Sequence, residues 1–244
     1  AGRLVALDLR TGRPLWDDCI LQGCRPGGGV WSSLAVDSQG LGYVGVGNPD
    51  DSLLAVDTAT GRRLWETSLH PDQDLDLDVG ETPVLFQQDG QQRVGIGSNG
   101  GDFAVFDRVS GHMVWKRTIV NGSAVHGLLA SPAYDGRHFY LPSASPPTGV
   151  FAVDPRQGGQ VWTRDTAEPV YSCPALGDGV IAVGTGAVFG DTAAGEIVAL
   201  SSQDGHVVWS RNVHSAVWSS PAILGDRLLV GDHAGTLFSF LPRG

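Results

Sequence analysis

Four aspartates alternate along the stretch SLHPDQDLDLDVGETP, residues 68–83: Asp72, Asp74, Asp76 and Asp78. In an extended chain, residues i and i+2 lie on the same side, about 7 Å apart. At an effective dielectric of roughly 20, each neighbouring pair of carboxylates costs about 2 kcal/mol. Such a row is either bathed in water or faced by something positive. Carboxylate oxygens are the usual ligands of hard cations such as Ca²⁺. The plain alternative is a solvated acidic loop, the common fate of a charge run.

Other residues with chemical potential are Trp31 in GGGVWSSLAVD, Asn48 before Pro49, and the cysteines. Trp218, in AVWSSPAIL, repeats the setting of Trp31, so Trp31 is either a stacking surface or a filler of the fold's centre. Asn48 is either a ligand or a turn residue, since Asn-Pro favours turns. Cys19 and Cys24 flank a short loop and form either a disulfide or two free thiols. Cys173, in VYSCPAL, reads as a small buried residue. The seven histidines show no metal-ligand spacing and read as surface or turn residues. GIGSNG (95–100) matches a nucleotide-loop pattern, but a strand-like run follows where a helix is required. NGS (121–123) is a formal glycosylation sequon.

The elements that position these residues come from a repeat. LVALDLRTGRPLW (4–16), LLAVDTATGRRLW (53–65), FAVFDRVSGHMVW (103–115), VFAVDPRQGGQVW (150–162) and IVALSSQDGHVVW (197–209) align without gaps. Each has a glycine four residues before its tryptophan, and the tryptophans are 49, 50, 47 and 47 residues apart. Each unit reads as strand, turn, strand. Asp8, Asp57, Asp107 and Asp154 end the first strand, where Asp side chains bond nearby backbone N–H groups. Glycine then supplies the positive φ of the hairpin. Two more strand signals precede each unit, as in SSPAILGDRLLVGDHAGTLFSF (219–240). Four short antiparallel strands per repeat describe a blade of a β-propeller. No 3.6-residue apolar period appears, so helix is expected to be scarce.

The expected fold class is all-β: one propeller domain over residues 1–244, with about five four-stranded blades or part of a larger eight-bladed ring. The chain opens on the third strand of a blade and closes on the third strand of another. Its opening AGRLVALDL reads as a strand already under way, so an N-terminal truncation or processing is expected. Pairing of the N-terminal PLW strand with the last blade would close a ring.

Composition narrows the partners. With 26 acidic and 16 basic residues, the formal charge is −10. That argues against nucleic acid or an anionic membrane surface and favours a cation or a cationic or redox partner. No apolar run approaches the roughly 18 residues of a membrane span.

The unit A-x-D-x-x-T-G-x-x-x-W resembles the repeat of pyrroloquinoline quinone (PQQ) enzymes, and it covers essentially the whole chain. GGGVWSSLAVDSQGLGYVGVGNPDDSLLAVD (27–57) is similar to a stretch of quinoprotein alcohol dehydrogenases, including polyvinyl alcohol dehydrogenase. The resemblance implies that Trp31 lies under the quinone and that Asn48 coordinates the cation holding it. DQDLDLDVGETPVL (72–85) resembles the family's catalytic segment, aligned on Pro83-Val84-Leu85. It implies Asp76 as catalytic base and metal ligand, with Asp78 as an added ligand. Leu75 replaces the family's Trp, and Asp72 replaces its His. Asn99 falls where the family places a basic residue against the quinone. The family's metal-binding Glu, from an earlier blade, and its adjacent cysteine pair have no counterpart in this chain. The resemblance further implies PQQ, with Ca²⁺ or a lanthanide, as cofactors. It implies a small or polymeric alcohol as substrate, a periplasmic cytochrome as electron acceptor, and a periplasmic or secreted location. Non-enzymatic outer-membrane assembly lipoproteins and sensor domains share the repeat, so the alternative expectation is a non-catalytic propeller that binds protein or polysaccharide. A carbohydrate-active propeller would need paired carboxylates across a central channel.

Overall fold

The computed structural model describes residues 2–70, 76–188 and 194–241. Asp72, Asp74 and Leu75 lie outside the described residues. The chain divides into two compact units, one of residues 1–118 with 122–127 and the other of residues 119–121 with 128–244.

In the first unit, β1 (Arg3–Leu7) and β2 (Pro14–Cys19) form a two-stranded sheet. β3 (Ala35–Val36), β4 (Leu41–Val46), β5 (Ser52–Asp57) and β6 (Arg63–Ser68) form a four-stranded one. β7 (Val84–Gln88), β8 (Gln91–Gly97), β9 (Asp102–Asp107) and β10 (Met113–Thr118) form another. In the second unit, β11 (Ala133–Tyr134), β12 (Phe139–Ser143), β13 (Gly149–Val153) and β14 (Gln160–Asp165) are followed by a sheet of β15 (Ala175–Gly177), β16 (Val180–Thr185), β17 (Gly195–Ser201) and β18 (Val207–Val213). β19 (Ala222–Leu224), β20 (Arg227–Gly231) and β21 (Leu237–Phe240) end as a three-stranded sheet. Neighbours pair antiparallel in chain order, so each four-stranded sheet is a propeller blade. Among the described residues there is no α-helix; the one helical turn, Gln22–Cys24, is 3₁₀.

The middle strands of the four-stranded sheets are apolar and largely buried. In the first unit, Tyr43, Leu53 and Ala55 pack with Val94, Ile96, Ala104 and Phe106. In the second, Tyr140, Val150 and Ala152 pack with Ile181, Val183, Val198 and Leu200. The hairpin aspartates cap their turns as expected: Asp8 Oδ1 accepts from the Thr11 amide at 2.8 Å, and Asp107 Oδ1 from the Ser110 amide at 2.9 Å.

The repeat tryptophans join one blade to the next. A Cβ on Gly61 would stand 2.8 Å from the Trp16 ring, one on Gly111 2.5 Å from Trp65, and one on Gly205 2.5 Å from Trp162. Only glycine lets the indole lie that close. Each indole N–H also donates to the carbonyl three residues before that glycine: Trp16 to Thr58 (2.9 Å), Trp65 to Arg108 (3.2 Å) and Trp162 to Ser202 (3.2 Å). The Gly–Trp spacing therefore encodes both a hairpin and the joint between consecutive blades.

Cys19 and Cys24 form a disulfide, which resolves the two sequence readings. Cys173 corrects its expectation: it is a free thiol and partly exposed. Its neighbour Ser172 takes the inward position and bonds both N–H and C=O of Gly184, and alternation along the extended segment turns Cys173 outward.

Candidate functional site

The segment between β2 and β3 and the loops that follow β4, β6 and β8 supply the candidate residues, all within the first unit. Asn48 opens the turn after β4 and spans both aspartates. Its side-chain Nδ2 donates to Asp76 Oδ1 at 2.8 Å, and its backbone N–H donates to Asp78 Oδ1 at 2.8 Å. Asp76 is exposed and Asp78 is buried. Burial pushes the Asp78 carboxyl above its ordinary pKa; the Asn48 amide and the Trp31 indole N–H pull the other way, while the charge of Asp76 adds to the rise. A carboxylate row that sequence leaves open to water or positive charge is thus held, at its described end, by hydrogen-bond donors.

Asn99 joins the same cluster from the end of β8. Its backbone N–H donates to the Asp78 carbonyl at 2.9 Å, and its side-chain amide donates to the Ala124 carbonyl at 3.1 Å. Its Oδ1 is buried and has no hydrogen-bond partner among the described residues. Trp31 borders this cluster and is 72% exposed, so it does not fill the fold's interior. Between them lies Gly80: a Cβ there would stand 3.6 Å from Trp31 Cβ and 3.8 Å from Asn99 Oδ1. Gly80 thus packs against both the exposed Trp31 side chain and the unpartnered Asn99 Oδ1. Trp218, the repeat counterpart of Trp31, instead donates its indole N–H to the Ala187 carbonyl at 3.2 Å and lies 4.1 Å from the His233 ring.

Trp31, Asn48, Asp76, Asp78 and Asn99 therefore converge from four stretches of sequence. The donors offered to a cation are two carboxylates and one amide. Among the described residues, no three His, Cys, Asp or Glu side chains gather as a metal-ligating group.

Two buried groups beside the cluster escaped sequence reasoning. Glu81 is fully buried, and its Oε2 accepts the Gly97 N–H at 2.6 Å while Oε1 has no partner among the described residues. Burial drives its pKa well above the ordinary carboxyl value, with the Gly97 N–H opposing. The signal was present: Glu81 stands two residues before Pro83, where Ser172 and Ser219 stand before Pro174 and Pro221. Those serines accept from and donate to a second-strand glycine, Gly184 and Gly231 respectively. The second group is His70, which corrects the expectation that every histidine is a surface or turn residue. It is buried, with Nε2 2.8 Å from Ser98 Oγ and Nδ1 3.8 Å from Asp102 Oδ2. Asp102 in turn takes Lys116 at 3.2 Å and the Thr118 hydroxyl at 2.6 Å. This network ties the start of the loop after β6 to β9 and β10. Ser98 is fully buried and accordingly serves this bonding and not as an open nucleophile.

Comparison with known proteins places the repeat. Residues 1–172 and 147–241 match the PQQ-repeat family described as outer membrane protein assembly factor BamB. A curated polyvinyl alcohol dehydrogenase from Pseudomonas sp. is 26% identical over 258 residues, covering 83% of this chain and 40% of that protein. The chain thus spans about two fifths of the length of this relative. Among solved structures, BamB from Moraxella catarrhalis aligns with a TM-score of 0.73 at 19% identity, covering 98% of this chain and 67% of that one. A quinohemoprotein alcohol dehydrogenase from Comamonas testosteroni aligns with a TM-score of 0.71 at 17% identity, covering 86% and 45%. By its repeats, its blades and these matches, the chain belongs to the PQQ-repeat β-propeller family described as outer membrane protein assembly factor BamB, and it resembles the quinoprotein dehydrogenases.

Proposed function

We propose that this chain carries part of the active site of a PQQ-dependent alcohol dehydrogenase. The observation that carries the reading is the convergence of Asp76, Asp78, Asn48, Trp31 and Asn99. The fit to the cofactors rests on two features. The exposed Trp31 ring and the unpartnered Asn99 Oδ1, both beside Gly80, would suit a flat, polar-edged group. Asn48, Asp76 and Asp78 offer only oxygen donors, which suit Ca²⁺ or a lanthanide, and a cation would offset the cost of burying Asp78 beside Asp76.

PQQ, when bound, accepts hydride, and the cation acts on it as a Lewis acid. The chain's own residues do the rest. Asp76 Oδ1 is engaged by Asn48, which leaves Oδ2 to take the hydroxyl proton of the alcohol. Asn48 fixes the orientation of that carboxylate. Trp31 would offer its exposed ring to the cofactor, and Asn99 its unpartnered Oδ1. The substrate in this reading is a primary or secondary alcohol, small or polymeric, in keeping with the name of the curated relatives. The electron acceptor is a periplasmic cytochrome. A periplasmic or secreted setting accords with the Cys19–Cys24 disulfide, since such bonds persist in oxidising compartments. No helix of the described residues is long and apolar enough to cross a membrane.

A second reading is a non-catalytic propeller that binds protein or polysaccharide. Asn99 favours it, because an uncharged side chain stands where the resemblance calls for a basic one. Titration of the purified chain with PQQ, with and without Ca²⁺, separates the two by tryptophan fluorescence. Saturable, Ca²⁺-dependent quenching that disappears in Trp31→Phe supports the enzyme reading. Absence of binding with Ca²⁺ and with a lanthanide supports the scaffold.

A further inference from the structure

Two glycines bring the Asp78 carboxylate and the Trp31 indole to one place. A Cβ on Gly47 would stand 2.3 Å from Asp78 Oδ1, and one on Gly29 would stand 3.3 Å from Trp31 Nε1. The glycines are themselves neighbours, since the Gly47 N–H donates to the Gly29 carbonyl at 2.8 Å. The carboxylate and the polar edge of the indole therefore lie over one bonded pair of glycines, and the indole N–H donates to that carboxylate.

Asp78 is fixed on its other sides. Its Oδ1 accepts the Asn48 N–H at 2.8 Å, its carbonyl accepts the Asn99 N–H at 2.9 Å, and its side chain is buried. Trp31 is held far less by packing, because its ring is largely exposed. A ring that packing does not fix can take several rotamers, and each presents a different face. One directional bond at the N–H edge removes that freedom. A bond to an ionised acceptor is also stronger than one to a neutral acceptor. Trp218, the repeat counterpart, gives its N–H to a neutral one, the Ala187 carbonyl.

We propose that Asp78 is the positioning residue of Trp31: its carboxylate takes the indole N–H and sets the plane in which the ring is presented. The role deepens the reading of Trp31 as the ring that meets PQQ and rests on it for its use in the reaction. Asp78 carries out this role through its hydrogen bonds, in the chain alone as well as with cofactor bound.

The test begins with the chain alone. In proton–nitrogen NMR spectra, the Trp31 indole N–H resonance is assigned by its loss in Trp31→Phe. It is expected at low field and slow to exchange with solvent, although the ring is open. Asp78→Asn offers a weaker, neutral acceptor, and Gly47→Ala displaces the carboxylate without removing it. In both, the resonance is expected to move upfield and exchange faster, while the Trp65 and Trp115 resonances stay in place and show that the unit is folded. A fast-exchanging Trp31 indole in the parent overturns the proposal, as does a resonance unmoved in a folded variant. PQQ titration with Ca²⁺ is the second arm. Asp78→Asn is expected to raise Kd by roughly tenfold, about the worth of one hydrogen bond to a charged group. In a Trp31→Phe background it is expected to add nothing, because the N–H is already gone. A loss that is equal in both backgrounds and is recovered by more Ca²⁺ makes Asp78 a cation ligand alone and overturns the positioning role. A parent that binds no PQQ defeats the enzyme reading instead, and the spectra of the chain alone still decide the Asp78–Trp31 bond.

Discussion

Asn48 donates its side-chain amide to Asp76 Oδ1 at 2.8 Å while its backbone N–H holds Asp78 Oδ1 at the same distance, so one residue sets the geometry of both carboxylates. If Asp76 takes the alcohol proton, Asp76→Asn lowers kcat/KM by roughly 10²–10⁴-fold, the usual worth of general acid–base catalysis. Asn48→Leu, which frees the carboxylate without removing it, has a smaller effect on the same assay. Alcohol-dependent dye reduction with PQQ and Ca²⁺ measures both. Unchanged turnover in Asp76→Asn would remove Asp76 from the mechanism.

Trp31 is largely exposed, so its removal separates binding from folding. Trp31→Ala is expected to change unfolding free energy by no more than about 0.5 kcal/mol. Loss of an aromatic stack worth about 0.5–1.5 kcal/mol raises the Kd for PQQ by up to roughly tenfold. Urea unfolding and a PQQ titration give the two numbers independently.

Glu81 predicts a pH dependence of stability. Its folded pKa is raised by burial, so the native state binds its proton more tightly than the unfolded chain. The stability this supplies is full below the unfolded carboxyl pKa of about 4.3, and it is lost as pH rises through the higher folded value. Glu81→Gln keeps an acceptor for the Gly97 N–H and cannot ionise. It is expected to remove that decline, raising Tm most at alkaline pH and little near the lower limit. Parallel pH–Tm curves for parent and variant would contradict the assignment.

What the sequence disclosed follows the range of the interactions concerned. Gly61 and Trp65 lie in one hairpin, and their spacing showed in the text because the turn is local. The pairing of Asn48 with Asp76 was reached through a resemblance, since no local pattern joins residues 28 apart. His70 was misjudged because Ser98 and Asp102, which bury it, come from the next repeat. Glu81 was missed although its signal is local: a carboxyl stands where serine precedes Pro174 and Pro221, visible only when the inner strands are aligned as the outer ones were.

The Cys19–Cys24 bond closes a short loop at the end of β2, where the Arg3 guanidinium approaches Cys19 Sγ at 3.2 Å. The loop-entropy relation gives about 2 kcal/mol for a ring of this size. The Cys19→Ser, Cys24→Ser double variant should therefore unfold at lower urea by that amount, and added reductant should lower the parent to the same midpoint. A midpoint unmoved by reductant would mean that the β2 end is held by packing alone.

The repeat tryptophans are chemically alike but should differ sharply in what their loss costs. Trp162 is almost fully buried, with its ring over Gly205 and its N–H on the Ser202 carbonyl, so Trp162→Ala opens a cavity and strands an acceptor at once. A cost of about 3–5 kcal/mol is expected. Trp209 has neither partner among the described residues; its ring meets Phe240 edge-on at 4.7 Å and is partly open to solvent. Trp209→Ala should cost about 1 kcal/mol. Urea unfolding of both variants measures the difference. Equal losses would show that Trp209 is held within the molecule as Trp162 is, and the joint between consecutive blades would then not be the source of the tryptophan's stabilising effect.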